Sequence, residues 1–224
     1  MMTLRATIAL FLMISMTGCG GDTPDQPPAL SSEPVPPAPA GEMQVHGRIK
    51  AVDLTGRPLP GMIPIATTTP NAFDQPVAAG AATGAEGTAT IHFPGDRHLF
   101  LRAWDPGLAY FPNNFYEVLP GEGTMAGDMT ISMAPSAGLR AQLFRVDGTV
   151  AANENAGLMM VHPTRGPWWP DEADTDQNGD VIFSPVPPGS FVLRLKILSG
   201  GQIEHPEIML PPGETVDLGS VVLY

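Results

Sequence analysis

The chain has 224 residues, of which 43% are hydrophobic and 15% charged, with 26 Pro, 25 Gly and a formal charge of −12. So few charges exclude long solvent-facing helices, while so many turn formers suit short strands joined by tight turns. The acidic balance excludes the basic face that nucleic-acid phosphates demand, so no nucleic-acid partner is expected.

The first element is a processing signal. Arg5 gives a positive start, Ala6 to Met16 is apolar, and Thr17-Gly18-Cys19 follows. The apolar run is short for a bilayer span and fits a cleaved leader. Met16-Thr-Gly-Cys19 resembles a bacterial lipobox, which implies removal of residues 1–18 and lipidation of Cys19. This is the single cysteine of the sequence, so an internal disulfide is excluded and lipidation would account for it. The alternative is an ordinary secretory leader with an incidental cysteine. Acyl chains anchor at about 0.8 kcal/mol per buried methylene, so membrane attachment is expected through the lipid and not through a spanning segment. The next residue is Gly20, not the Asp that retains lipoproteins at the inner membrane in the enterobacterial sorting rule; resemblance to that rule implies the outer membrane. Cleavage removes one basic group, Arg5, and no acid, so the mature chain is more negative still.

Residues 19–42 read as a tether. After Cys19 the string GGDTPDQPPALSSEPVPPAPAGE has almost no large apolar side chain with which to repay the entropy of ordering, and its prolines favour an extended spacer.

From residue 43 the chain repeats itself. Thr83-Gly-Ala-Glu-Gly87, Leu101-Arg102, Pro120-Gly-Glu122 and Gly127 recur in the same order and at one constant offset as Thr175-Asp-Gln-Asn-Gly179, Leu193-Arg194, Pro212-Gly-Glu214 and Gly219. Such self-similarity divides the chain into residues 43–135 and 136–224. Each copy opens on an alternating strand, at 44–52 or 139–146. Further strands are expected at 62–68 and 158–162, 88–93 and 180–184, 99–104 and 191–198, 116–119 and 207–210, and 129–133 and 220–223. The Thr-x-x-x-Gly string is expected to be a hairpin turn whose last residue takes positive φ. The fold class is all-β: two tandem β-sandwiches after a signal peptide and a disordered linker.

The order of parts resembles the carboxypeptidase regulatory-like domain, a small prealbumin-like (transthyretin-like) sandwich. The residues carrying the resemblance are Gly56-Arg-Pro-Leu-Pro-Gly61 in the first copy. In the second they are Thr175-Asp-Gln-Asn-Gly179, Val186-Pro-Pro-Gly-Ser-Phe-Val-Leu193 and Pro212-Gly-Glu-Thr-Val-Asp-Leu-Gly219. The second copy has Asp147-Gly-Thr-Val in place of the first step, and the first copy has Phe93-Pro-Gly95 without the preceding Val-Pro. The resemblance implies tandem prealbumin-like domains and fixes no activity, since such sandwiches serve as spacers, carbohydrate binders and accessory modules.

Candidate chemistry is sparse. His46, His92, His98, His162 and His205 show no metalloprotease spacing, and there is no nucleophile elbow or phosphate loop, so no catalytic residue, enzymatic activity or cofactor is expected. His92 and His98 flank the Pro94-Gly95 turn as a metal candidate against ordinary surface histidines. Asp174, Asp176 and Asn178 open a string like a calcium loop, but its twelfth position is Pro185 where a bidentate acid is needed, which favours a turn. Trp168 and Trp169 are expected on a long loop, where they either stack on a sugar or partner or fold back to cap a sandwich. Tyr110-Phe-Pro-Asn-Asn-Phe-Tyr116 is the comparable stretch in the first copy. The function expected is a non-enzymatic, lipid-anchored envelope spacer or protein-interaction module. The alternative is a carbohydrate-binding accessory protein, so the partners are the membrane and an envelope protein or glycan.

Overall fold

The computed structural model describes residues 44–71, 74–121 and 128–224. Cys19, the tether, Glu122 and Gly127 lie outside the described residues.

Alternation builds the first strand, β1 (Gln44–Asp53): Val45, Ile49 and Ala51 are buried while His46 and Arg48 face outward. A period of two side chains puts one face against a core and the other in water. The remaining strands of the first copy are β2 (Ile63–Thr67), β3 (Ala78–Ala79), β4 (Thr88–Pro94), β5 (Leu99–Trp104), β6 (Tyr110–Pro112), β7 (Tyr116–Val118) and β8 (Asp128–Pro135). They form two four-stranded sheets, ordered β4-β1-β8-β6 and β3-β2-β5-β7. Between them lies a core that includes Ile49, Ile91, Phe93, Leu99, Leu101 and Ile131.

The second copy repeats the plan with β9 (Ala137–Arg145), β10 (Asn155–His162), β11 (Gly166–Asp174), β12 (Asp180–Val186), β13 (Gly189–Ile197), β14 (Gln202–Leu210) and β15 (Thr215–Leu223). Its sheets are β12-β9-β15 and β11-β10-β13-β14, enclosing Leu139, Leu143, Phe183, Phe191 and Leu193. In both copies the first strand lies antiparallel to the fourth and parallel to the last: β1 beside β4 and β8, β9 beside β12 and β15. Full burial of each such Leu, Ile or Phe contributes roughly 1.5–3 kcal/mol, so each copy has its own hydrophobic basis for folding. The described residues contain no helix, and the architecture is an all-β pair of sandwiches.

The Thr-x-x-x-Gly strings occupy equivalent places in the two copies. The Thr83 hydroxyl donates to Leu59 O at 2.7 Å and accepts from Met62 N at 2.9 Å. The Thr175 hydroxyl donates to Ala151 O at 2.6 Å and accepts from Glu154 N at 3.0 Å. Gly87 and Gly179 have φ of 69° and 76°, and a Cβ there would come within 2.4 Å of Ala51 O or 2.7 Å of Leu143 O. Positive φ and close backbone approach both call for glycine. The expected hairpin is corrected. β3 and β4 belong to different sheets, as do β11 and β12, so each string turns the corner from one sheet to the other. The local turn is the same in either case; the partner strands distinguish them.

Candidate functional site: the joint between the sandwiches

Between β8, ending at Pro135, and β9, starting at Ala137, stands one residue, Ser136. Its N–H donates to Ala109 O at 2.9 Å, and its carbonyl accepts from Gly213 N at 3.1 Å. The connection is therefore held by a loop of the first sandwich and a turn of the second.

That first loop is shaped by a buried acid. Asp105 accepts from the N–H groups of Gly107 at 2.9 Å and Tyr110 at 3.0 Å. Leu108 takes a left-handed φ of 53° and packs against the core of the second sandwich. A left-handed leucine costs about 1–2 kcal/mol, which burial of its side chain offsets. The chain then runs into β6, which pairs with the last residues of β8, Phe111 opposite Ala134. This three-residue strand is peculiar to the first copy. It brings Phe111 into the second sandwich's core, with Trp104 packed beside it.

The receiving surface is β11. The expected loop around Trp168 and Trp169 is corrected to a strand, paired with β10 along Gly166–Asp174. Pro167 and Pro170 obscure it in the sequence, yet β11 is an edge strand, where a missing N–H is tolerated. A register shift opposite Met160 and Val161 inserts an extra residue, and both indoles are buried, Trp168 at 8% and Trp169 at 3% exposure.

Trp169 meets Phe111 edge to face at 5.1 Å and 86°, and lies 6.4 Å from the Trp104 ring. At the margin, the Arg165 guanidinium stands 4.5 Å from the Phe115 ring and 5.3 Å from that of Trp168, tying the copies through cation–π contacts. His162 lies 5.8 Å from Trp168. Burial and the Arg165 charge hold its imidazole below the usual value, with Glu207 opposing. On β11, Asp171 stands opposite Leu158, and burial pushes its carboxyl up to about 6. The two aromatic stretches considered separately in the sequence thus pack on each other. As the strand stands, neither indole presents a face to solvent.

One residue of the joint is inconspicuous in the sequence. Arg102, there only half of a repeated Leu-Arg, is 4% exposed. Its terminal nitrogens donate to Asn71 O at 2.8 Å and Pro70 O at 3.4 Å. Burial pulls its guanidinium down to about 10, against a favourable effect of Asp74. Its repeat counterpart Arg194 stays exposed and pairs with Glu204 at 2.8 Å. With Trp104, Phe111, Pro112 and Trp168, Arg102 lines a narrow cleft at the joint.

The other candidates stand apart. Asp176 accepts from the N–H groups of Asn178 at 2.7 Å and Asp180 at 2.9 Å, while Asp180 pairs with Arg140 at 3.2 Å. These backbone bonds hold the Asp176 carboxyl below its usual range. Asp174 is exposed and accepts from Asn155 Nδ2 at 3.5 Å. His92 faces His46 across β1 and β4, with rings 6.1 Å apart, whereas His98 pairs with Glu117 at 2.7 Å. Among the described residues no three His, Cys, Asp or Glu side chains converge as metal ligands, and no helix is long and apolar enough to cross a membrane.

No family model matches the chain, and no curated protein matches it. Among solved structures it is similar to GBS52, the minor pilin of Streptococcus agalactiae, at 16% identity and a TM-score of 0.40, covering 80% of this chain and 96% of that one. It is similar to the shaft pilin spaA of Lactobacillus rhamnosus GG at 9% identity and a TM-score of 0.31, covering 81% and 98%. The Bacillus anthracis TIE protein aligns at 16% identity and a TM-score of 0.32 over 81% of this chain, which spans only 34% of that one.

Proposed function

We propose that the chain is a non-enzymatic, lipid-anchored protein of the cell envelope, whose two sandwiches act as one stiff spacer or protein-interaction module. The observation that carries this reading is the joint: a one-residue connection bonded on both sides, with Phe111 and Trp104 packed on Trp169. A flexible pair of domains would need a longer linker and a smaller apolar contact. The Met16-Thr-Gly-Cys19 string supports attachment through Cys19, and Gly20 supports the outer membrane. The Pro-rich residues 19–42 would supply the reach.

Fractionation of a Cys19→Ala variant tests the anchor. Release from the membrane fraction is expected, and unchanged membrane retention would contradict it. Carbohydrate binding by Trp168 and Trp169 would require the joint to open. Glycan retention by the parent protein, lost in Trp168→Ala/Trp169→Ala while the fold persists, would favour that reading.

A further inference from the structure

Of the five histidines, three have a polar partner: His98 pairs with Glu117, His162 accepts from Thr164 N, and His205 meets the carbonyl of Pro206. Neither ring of the other two, His46 and His92, has a hydrogen-bond or ion-pair partner among the described residues. These two stand directly opposite each other, in register on the antiparallel strands β1 and β4.

Alternation puts both on the water side. Val45 and Gly47 flank His46, Ile91 and Phe93 flank His92, and all four are buried while both histidines are exposed. Facing residues of an antiparallel pair have Cβ atoms about 4.5–5.5 Å apart, so the two rings share one patch of surface. Their centroids are 6.1 Å apart, with planes tilted by 47°. Metal–nitrogen bonds of about 2.1 Å place the centres of two imidazoles sharing one ion roughly 4.5–6.5 Å apart, according to the angle at the metal. The observed separation falls in that span, and exposed rings turn fast enough to aim a nitrogen each.

The surroundings suit a cation. Arg48, the next outward residue of β1, directs its charge to Asp128 at 3.3 Å. The net charge of −12 favours cations at the surface. Imidazole pairs suit copper, nickel and zinc, whereas magnesium and calcium take oxygen ligands.

We propose that His46 and His92 form a two-imidazole clamp for one divalent transition-metal ion, with water completing its shell. The clamp fastens β4, an edge strand, to β1. An ion held only by the folded chain also stabilises it. The site uses no residue of the joint and does not depend on lipid anchoring.

The test follows the imidazole ¹⁵N resonances of all five histidines in the full chain as zinc chloride is added at neutral pH, with magnesium chloride at matched ionic strength as the comparison. His46 and His92 are expected to respond to zinc together, with one saturable midpoint and one ion per chain, while magnesium moves neither. His46→Gln or His92→Gln should raise the midpoint of the remaining partner at least about tenfold, because chelation by two linked ligands is lost. Both positions are exposed, so the metal-free variants should keep the parent's melting temperature. Separate midpoints for the two rings, an equal response to magnesium, or undiminished zinc binding by either variant would overturn the proposal. So would zinc saturating His98, His162 or His205 at a lower concentration.

Discussion

Phe111 of the first sandwich stands edge to face against Trp169 of the second, with centroids 5.1 Å apart and planes at 86°. The contact joins a strand found only in the first copy, β6, to an edge strand of the second, β11. The second sandwich does not complete its core alone, because that cluster includes Phe111 together with its own side chains. The joint therefore contributes to folding as well as to shape.

A double-mutant cycle on Phe111→Leu and Trp169→Leu should show a coupling of about 0.5–1.5 kcal/mol, the usual range for an aromatic pair. Chemical denaturation of the four proteins measures it. Additivity within about 0.3 kcal/mol would mean that the rings do not interact.

The corner threonines should behave alike. Thr83→Val and Thr175→Val each strand a buried N–H and a carbonyl, for a loss of about 1–3 kcal/mol, while the serine variants retain most of the stability. Melting curves of the four variants check this, and a loss confined to one copy would show that the repeat is not equivalent at this position.

Glycine at the corners is required for two reasons, whereas at Gly56 only one applies. Gly56 has φ of 85° with no atom within 4 Å of where a methyl would sit, so Gly56→Ala should cost about 1–2 kcal/mol from backbone strain alone. Gly87→Ala and Gly179→Ala also drive a methyl against a carbonyl oxygen, adding about 1–3 kcal/mol. Equal losses at all three sites, measured by denaturant midpoint, would contradict the corner geometry.

Asp171 predicts a pH dependence. Its folded-state pKa is raised from 3.8 to about 6, so the folded chain binds this proton more tightly than the unfolded one. Stability should therefore decline as pH rises from about 4 to 6, with the full cost of ionising Asp171 present above that window. Partial exposure screens the effect, so the magnitude will fall short of the unscreened shift. Asp171→Asn should remove this slope and raise the melting temperature at pH 7. Asp53, Asp147 and Asp176 act oppositely, because hydrogen bonds lower their pKa values and their contribution is lost as pH falls below about 4. An Asp171→Asn variant with an unchanged pH profile between 4 and 6 would refute the assignment.

The strands with clean alternation were legible in the sequence, and so was the repeat, because Thr-x-x-x-Gly meets the same backbone demand in both copies. β11 was not, because Pro167 and Pro170 look like loop residues until the strand is known to lie at a sheet edge. β6 is three residues long and gains its meaning from β8. The corner resembles a hairpin because turn chemistry is local and sheet membership is not. The aromatic stretches at 110–116 and 168–169 both stand out in the sequence, but nothing in either reveals that they meet. Arg102 is still less visible, since its repeat partner Arg194 has the same neighbour in sequence and an exposed setting.

The stiffness of the joint is tested most directly by amide residual dipolar couplings, measured in one weakly aligning medium for residues 44–135 and 137–223. A single alignment tensor, with one orientation and one magnitude, should fit both sandwiches. Two tensors of clearly different magnitude would show the sandwiches moving independently and would contradict the account.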